Sequence, residues 1–313
     1  MREGRWIAWS SRCIRSLHRD PGDQRMNDTS EERKNEGEAD TGEAASQLTE
    51  KEERDVEKKQ SPTAHVLHET IRRAGDRELE RNASALLWSS IAAGLSMGFS
   101  LLAPALMHAR IGDTPATPLL VAFAYSIGFM LVILGKQQLF TENTLTAVLP
   151  VMTKPELGNV GRLLRLWGLV FVGNMIGVAV FAFALARLDI TDVDTQTAMV
   201  RMGAKLMGLA PGQMFARGIF AGWLIAILVW LLPAAEHSKV VLIALITGLI
   251  SFADMTHIIA GSAEALYLVF AHITPFTDVA MRFMLPTLAG NVVGGSLIFA
   301  LISHAQVRSD TKE

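Results

Sequence analysis

Cysteine is nearly missing from this chain: Cys13 is the single example in 313 residues. One thiol cannot form an intramolecular disulfide, and it offers no basis for a cysteine metal site. An excess of basic charge is also missing. The net charge is −2, which gives no reason to expect nucleic-acid binding. Long apolar sequence is scarce at the start as well: residues 1–26 offer only Trp6-Ile7-Ala8-Trp9 as an apolar core, shorter than a secretory signal is expected to carry. Arg2, Arg5, Arg12, Arg15 and Arg19 have the flavour of a transit peptide, but initiation at Met26 is the preferred expectation. The Asn-Pro-Ala repeats of water channels are absent, and so is a Gly-x-Ser-Gly element. A hydrolase built on Ser262 and His257, five residues apart, therefore has little to stand on.

Charge itself is scarce in most of the chain. Of the 60 charged side chains, 35 lie in the first 81 residues. Residues 1–64 are too polar to bury a core and read as a disordered tail. Residues 65–82 turn helical in pattern, with Val66, Ile71, Ala74 and Leu79 set among Arg72, Arg73, Arg77 and Arg81. That suits an amphipathic surface helix with arginines toward anionic lipid, or a plain solvated helix.

Residues 83–308 consist of long apolar runs, and about 18 such residues suffice to cross a bilayer. Six spans fit: about Ala83–Met107, Thr117–Met152, Leu163–Ala186, Gly212–Ala234, Lys239–Ala271 and Met281–Ser303. A polar loop carrying Asp189, Asp192, Asp194, Arg201 and Lys205 separates the third from the fourth. The second and fifth segments are too long for one straight span, and each is interrupted by polar residues. The interruptions are Lys136 to Thr144 and Asp254 to His257. Non-helical backbone at that depth must face protein or a water-filled cavity.

The two halves match. Gly173-Asn174-Met175-Ile176-Gly177 resembles Gly290-Asn291-Val292-Val293-Gly294 at an offset of 117 residues, and the same offset carries Thr141 to within one residue of His257. Three spans per half imply an inverted repeat, with broken helices marking the substrate path. Glycine pairs four apart, Gly94/Gly98, Gly173/Gly177, Gly218/Gly222 and Gly290/Gly294, read as helix-packing positions. Basic residues near the span ends divide ten to six in favour of both termini in the cytoplasm.

Leu139-Phe140-Thr141, Thr256-His257 and Gly290-Asn291, in that order and in a six-span setting, resemble the formate/nitrite transporter family. The sequence is most similar to an inner-membrane branch found in enteric bacteria, over roughly residues 65–308. The resemblance implies an all-α membrane protein with an aquaporin-like protomer of six transmembrane helices, helices 2 and 5 broken. It implies a homopentamer in the bacterial inner membrane, passing small monovalent anions or their conjugate acids, with no enzyme activity and no cofactor. On this resemblance Thr141 and His257 meet at the pore centre and Asn291 belongs to the pathway. Tyr125, Phe129, Leu139, Phe140 and Ile250 form apolar constrictions, and Lys205, with Arg201, draws anions to the mouth. The chain departs from the family at Gly222 and Gly261, where asparagine is usual, and at Met255-Thr256, where Phe-Glu is usual.

An ionisable group at mid-membrane depth is costly and is by default functional, so His257 is read as a working residue and proton-linked transport is expected. A channel for small neutral solutes is the alternative. Asp254 and Glu264 lie near His257 in sequence and could hold it cationic. The preferred reading instead pairs Glu264 with Lys136 across the two broken helices.

Overall fold

A computed structural model describes residues 62–310; the polar tail and the question of Met26 lie outside the described residues. All regular structure among the described residues is helical. Helix α1 (Ala64–Glu80) starts where the Thr63 side chain accepts the Val66 N–H, and it ends against the cap of the next helix, where Asn82 accepts the Ser84 N–H. Its apolar stripe, Leu67, Ile71 and Leu79, is buried against the bundle. Arg72 is tied to Glu69 and Asp76 at 2.7 and 2.6 Å, and Arg73 to Glu69 at 2.6 Å. The hydrogen bonds from Arg72 and then Arg73 hold the Glu69 carboxyl down at about 2. His68 packs edge-on to Trp230 and shares a 3.1 Å hydrogen bond with His304, and burial lowers its pKa.

Five helices are long and apolar enough to cross a membrane, by length and composition: α2 (Ala83–Ile111), α3 (Thr117–Leu134), α6 (Leu157–Arg187), α8 (Pro211–Leu231) and α11 (Phe276–Asp310). At 1.5 Å per residue the 29 residues of α2 reach roughly 43 Å. Two shorter apolar helices, α9 (Lys239–Phe252) and α10 (Ile258–Phe270), flank the second polar interruption. The first interruption leads from α3 into two short pieces, α4 (Asn143–Thr146) and α5 (Val148–Thr153). Two stretches of α11, Val279–Met284 and Val293–Ala300, are wound wider, with i→i+5 hydrogen bonding.

One segment differs from the sequence reading. The polar loop after the third span contains a helix, α7 (Val193–Met207). Asp192 caps it by accepting the Thr195 N–H at 2.8 Å, with Asp194 in the first turn and Lys205 in the last, as the helix dipole favours. Ala198, Met199 and Met207 form its buried stripe. A short amphipathic helix with charged ends resembles a loop in composition, and its caps are what give it away.

The glycine pairs act across helices. A Cβ on Gly94 of α2 would crowd the Asn174 carbonyl and the Gly177 Cα of α6. A Cβ on Gly222 of α8 would crowd the backbone of Asn291 in α11. These two close crossings set the depth at which the two asparagines sit.

Candidate functional site

Both polar interruptions begin in the same way. Helix α3 ends as Gln137 N–H bonds back to the Val132 carbonyl at 3.0 Å, with Lys136 in the left-handed region at φ 51°. Helix α9 ends as Met255 N–H bonds back to the Ile250 carbonyl at 2.9 Å, with Asp254 at φ 52°. This six-to-one closure normally uses glycine at the left-handed position.

Each interruption is then braced by an asparagine from a distant helix. Asn174 Oδ1 accepts the Phe140 N–H at 2.9 Å, and its Nδ2 donates to the carbonyls of Gln138 and Ser90 at 2.9 and 2.8 Å. Asn291 Oδ1 accepts the Ile258 N–H at 2.8 Å, and its Nδ2 donates to the carbonyls of Thr256 and Gly218 at 3.0 and 2.9 Å. Both side chains are fully buried, and both satisfy backbone groups freed by a broken helix. The matched bonds also correct the register: Phe140 pairs with Ile258 and Gln138 with Thr256, an offset of 118. His257 thus corresponds to Leu139, and Thr141 to Ile259.

Thr141 and His257, 116 positions apart, are brought together: Thr141 Oγ1 lies 2.8 Å from His257 Nε2, and both residues are buried. His257 also caps α10, its Nδ1 accepting the Ala260 N–H at 3.2 Å. A neutral ring whose Nδ1 accepts a backbone N–H carries its proton on Nε2. The imidazole therefore donates to Thr141 Oγ1. The Phe129 ring meets His257 edge-on at 5.0 Å, and Tyr125 lies one turn earlier, 5.4 Å from Phe129. Leu139, Phe129 and Ile250 are fully buried, while Phe140 packs edge-on to Trp167 and Phe171 of α6.

A cavity of about 210 Å³ opens beside the pair, lined by His257, Thr256, Tyr125, Glu264, Asp254, Lys205 and Arg217 among others. Lys205 Nζ is 2.5 Å from Asp254 Oδ1, and Arg217 Nη1 donates to the Asp254 carbonyl at 3.0 Å. Arg201 lies in an adjoining cavity of about 320 Å³ with His108 and Asp113; Pro118, Val121, Met202 and Lys205 line both. Among the described residues no cluster of three His, Cys, Asp or Glu side chains could hold a metal ion.

The expected Lys136–Glu264 pair does not form. Lys136 is exposed at the end of α3, whereas Glu264 lines the cavity, under the charges of Lys205 and Asp254. The sequence reading missed Arg217 and this placement of Glu264. The available signal was spacing: Glu264 follows His257 by seven residues, two turns along one face of α10. The Ser262 hydroxyl donates to the Ile258 carbonyl within the same helix.

The formate/nitrite transporter family model matches residues 65–305. The chain is 52% identical over 247 residues to the inner membrane protein YfdC of Escherichia coli strain K12, covering 79% of this chain and 80% of that one. Among solved structures, a pentameric formate channel with formate bound superposes with a TM-score of 0.60 at 21% identity, covering 72% of this chain and 98% of that chain. An ion channel of the FNT family superposes with a TM-score of 0.68 at 18% identity, covering 77% and 98%. With its two braced helix breaks, a family match over most of its length and a relative at this identity, the chain belongs to the formate/nitrite transporter family.

Proposed function

We propose that this protein is a proton-linked channel for small monovalent anions and their conjugate acids, of the kind of formate or nitrite. The observation that carries the reading is the buried Thr141–His257 pair at the meeting of two helix breaks, beside a cavity rimmed by cations. The family and the formate-bound relative support the substrate class.

In this reading Arg201, Lys205 and Arg217 raise the local concentration of anions at the mouth. Beyond the cavity the path narrows past Tyr125, Phe129, Leu139, Phe140 and Ile250, where a bare charge is costly. Protonation of the anion removes that cost. The Thr141 hydroxyl, held in place by the Nε2–H of His257, orients it as a hydrogen-bond donor, and Asn291 holds the break in shape from behind. The N-terminus of α10, which begins beside His257, adds a positive dipole end.

The same proposal extends to the assembly. The described helices fit a six-span inverted repeat, with α3 to α5 and α9 to α10 as the broken spans, and a homopentamer with one pore per protomer. Localisation is the bacterial inner membrane, multi-pass, with both termini cytoplasmic, residues 65–82 at the cytoplasmic lipid surface and the polar tail beyond. The ten-to-six split of basic residues and the inner-membrane relative support this arrangement.

The test is flux into proteoliposomes of a panel of weak acids at two pH values, with glycerol as the neutral control. Proton-linked uptake of formate or nitrite, lost in His257→Phe, is expected. Undiminished uptake in His257→Phe sinks the role of the imidazole. Glycerol flux without acid flux would favour the neutral-solute channel.

A further inference from the structure

The hydrogen bonds of His257 make it a poor proton donor. The neutral ring holds its one proton on Nε2, and giving that up would leave an imidazolate. An imidazolium would need a second proton on Nδ1, which already accepts the Ala260 N–H. The cap and that proton compete for one lone pair. A proton-linked cycle needs another carrier.

Two carboxyls line the cavity. Asp254 is engaged on both sides, its side chain by Lys205 and its carbonyl by Arg217. Glu264 makes no hydrogen bond or ion pair among the described residues, and it is only partly exposed. It sits two turns beyond His257, roughly 10 Å along α10 at 1.5 Å per residue. The charged and titratable groups around it are Lys205 from α7, Asp254 from the break, Arg217 from α8, Tyr125 from α3 and His257 from its own helix. Arg201 and His108 lie in the adjoining cavity. With Glu264 ionised, the two cations and two carboxylates lining the cavity balance. With Glu264 protonated, one positive charge is left over, enough to hold one monovalent anion.

We propose that Glu264 is the residue that hands a proton to the substrate anion in this cavity. This rests on the channel reading above and names its proton carrier. The O–H bond of the Glu264 carboxyl breaks and an O–H bond forms on the anion, giving a neutral acid and a glutamate anion. A proton from the outer solution, relayed by water at the cavity mouth, then reprotonates Glu264 and leaves neutral water. Exchange between two carboxyls is close to balanced, so the step needs no strong driving force. The neutral acid moves on past Phe129 to the Thr141 hydroxyl, which the His257 ring holds in place. One proton enters with each substrate.

The test compares wild type, Glu264→Gln and Glu264→Asp in proteoliposomes with a trapped pH dye, using formate and acetate. Wild-type uptake is expected to rise as the outer pH falls from about 7.5 to about 5.5. Glu264→Gln should take up substrate about tenfold more slowly, with a flat pH profile. Glu264→Asp should keep the acid stimulation. A Gln variant with the wild-type profile, or an Asp variant as flat as Gln, overturns the assignment. Infrared difference spectra of the purified proteins give a second readout. A protonated-carboxyl band perturbed by acetate in the wild type and missing in Glu264→Gln upholds the proposal, and its absence from the wild type overturns it. If the wild type moves no weak acid, the channel reading fails on its own, and the infrared result still decides whether Glu264 exchanges protons with a carboxylate. If Glu264→Gln fails to elute as the wild-type oligomer, the Asp profile and the wild-type band carry the decision.

Discussion

The hydrogen shared by Thr141 and His257 belongs to the imidazole, because the other ring nitrogen is occupied by the Ala260 N–H. The Thr141 hydroxyl is thus the acceptor, and its own proton is left free to donate. Replacing Thr141 by valine keeps the shape and strands a buried Nε2–H, at a cost of about 1–3 kcal/mol. Thr141→Val should lower acid flux by about tenfold or more, at 1.4 kcal/mol per decade. Thr141→Ser should stay near wild type. Equal flux in the two variants would show that the pair does not act on substrate.

The left-handed residues that open the two breaks make a matched experiment. Neither Lys136 nor Asp254 is glycine, and a side chain at such a φ costs roughly 1–2 kcal/mol. Lys136 makes no ion pair among the described residues, so Lys136→Gly should stabilise the protein by up to about 1 kcal/mol. Asp254→Gly relieves the same strain but loses the Lys205 contact, worth about 0–1 kcal/mol for a pair this exposed. Thermal unfolding in detergent should show the larger gain for Lys136→Gly. The reverse order would mean that Asp254 carries more strain than Lys136 or that its contact with Lys205 does not stabilise the protein.

Docking of α1 should weaken in acid, in two steps. The pKa of His68 is lowered by burial, so the folded state binds fewer protons than the unfolded one just below the usual histidine range. Its share of stability is complete above about 6.5 and is lost as pH falls below that value. Glu69 is depressed from 4.5 to about 2 by Arg72 and Arg73, so its share is present above 4.5 and disappears as pH falls toward 2. Amide exchange in α1, corrected for intrinsic rates, should accelerate between about pH 7.5 and 5. The acceleration should vanish in His68→Phe. A pH-independent α1 in the wild type would contradict this account.

The two helix breaks were legible in the sequence because hydrophobicity fails there in the middle of runs that otherwise hold. The Gly-Asn pairs were legible because they repeat. The exact register was not. Asn174 and Asn291 are 117 apart while the segments they brace are 118 apart, and only the backbone bonds reveal the extra residue. Helix α7 was hidden by its charges, although Asp192 and Lys205 stand where a cap and a last turn want them. Glu264 was assigned to Lys136 because both lie beside breaks. Which charges meet depends on the side to which each broken end turns, and spacing along the chain does not encode that.

The asparagine bolts have a mechanical consequence. Each break is fastened through two bonds to an asparagine of a long helix, and the asparagine's third bond goes to the neighbouring helix that this helix crosses at glycine contact. Neither loop can swing without dragging a whole rod sideways through a tight crossing. The two breaks therefore form a fixed frame, and any moving part lies in the softer segments around it.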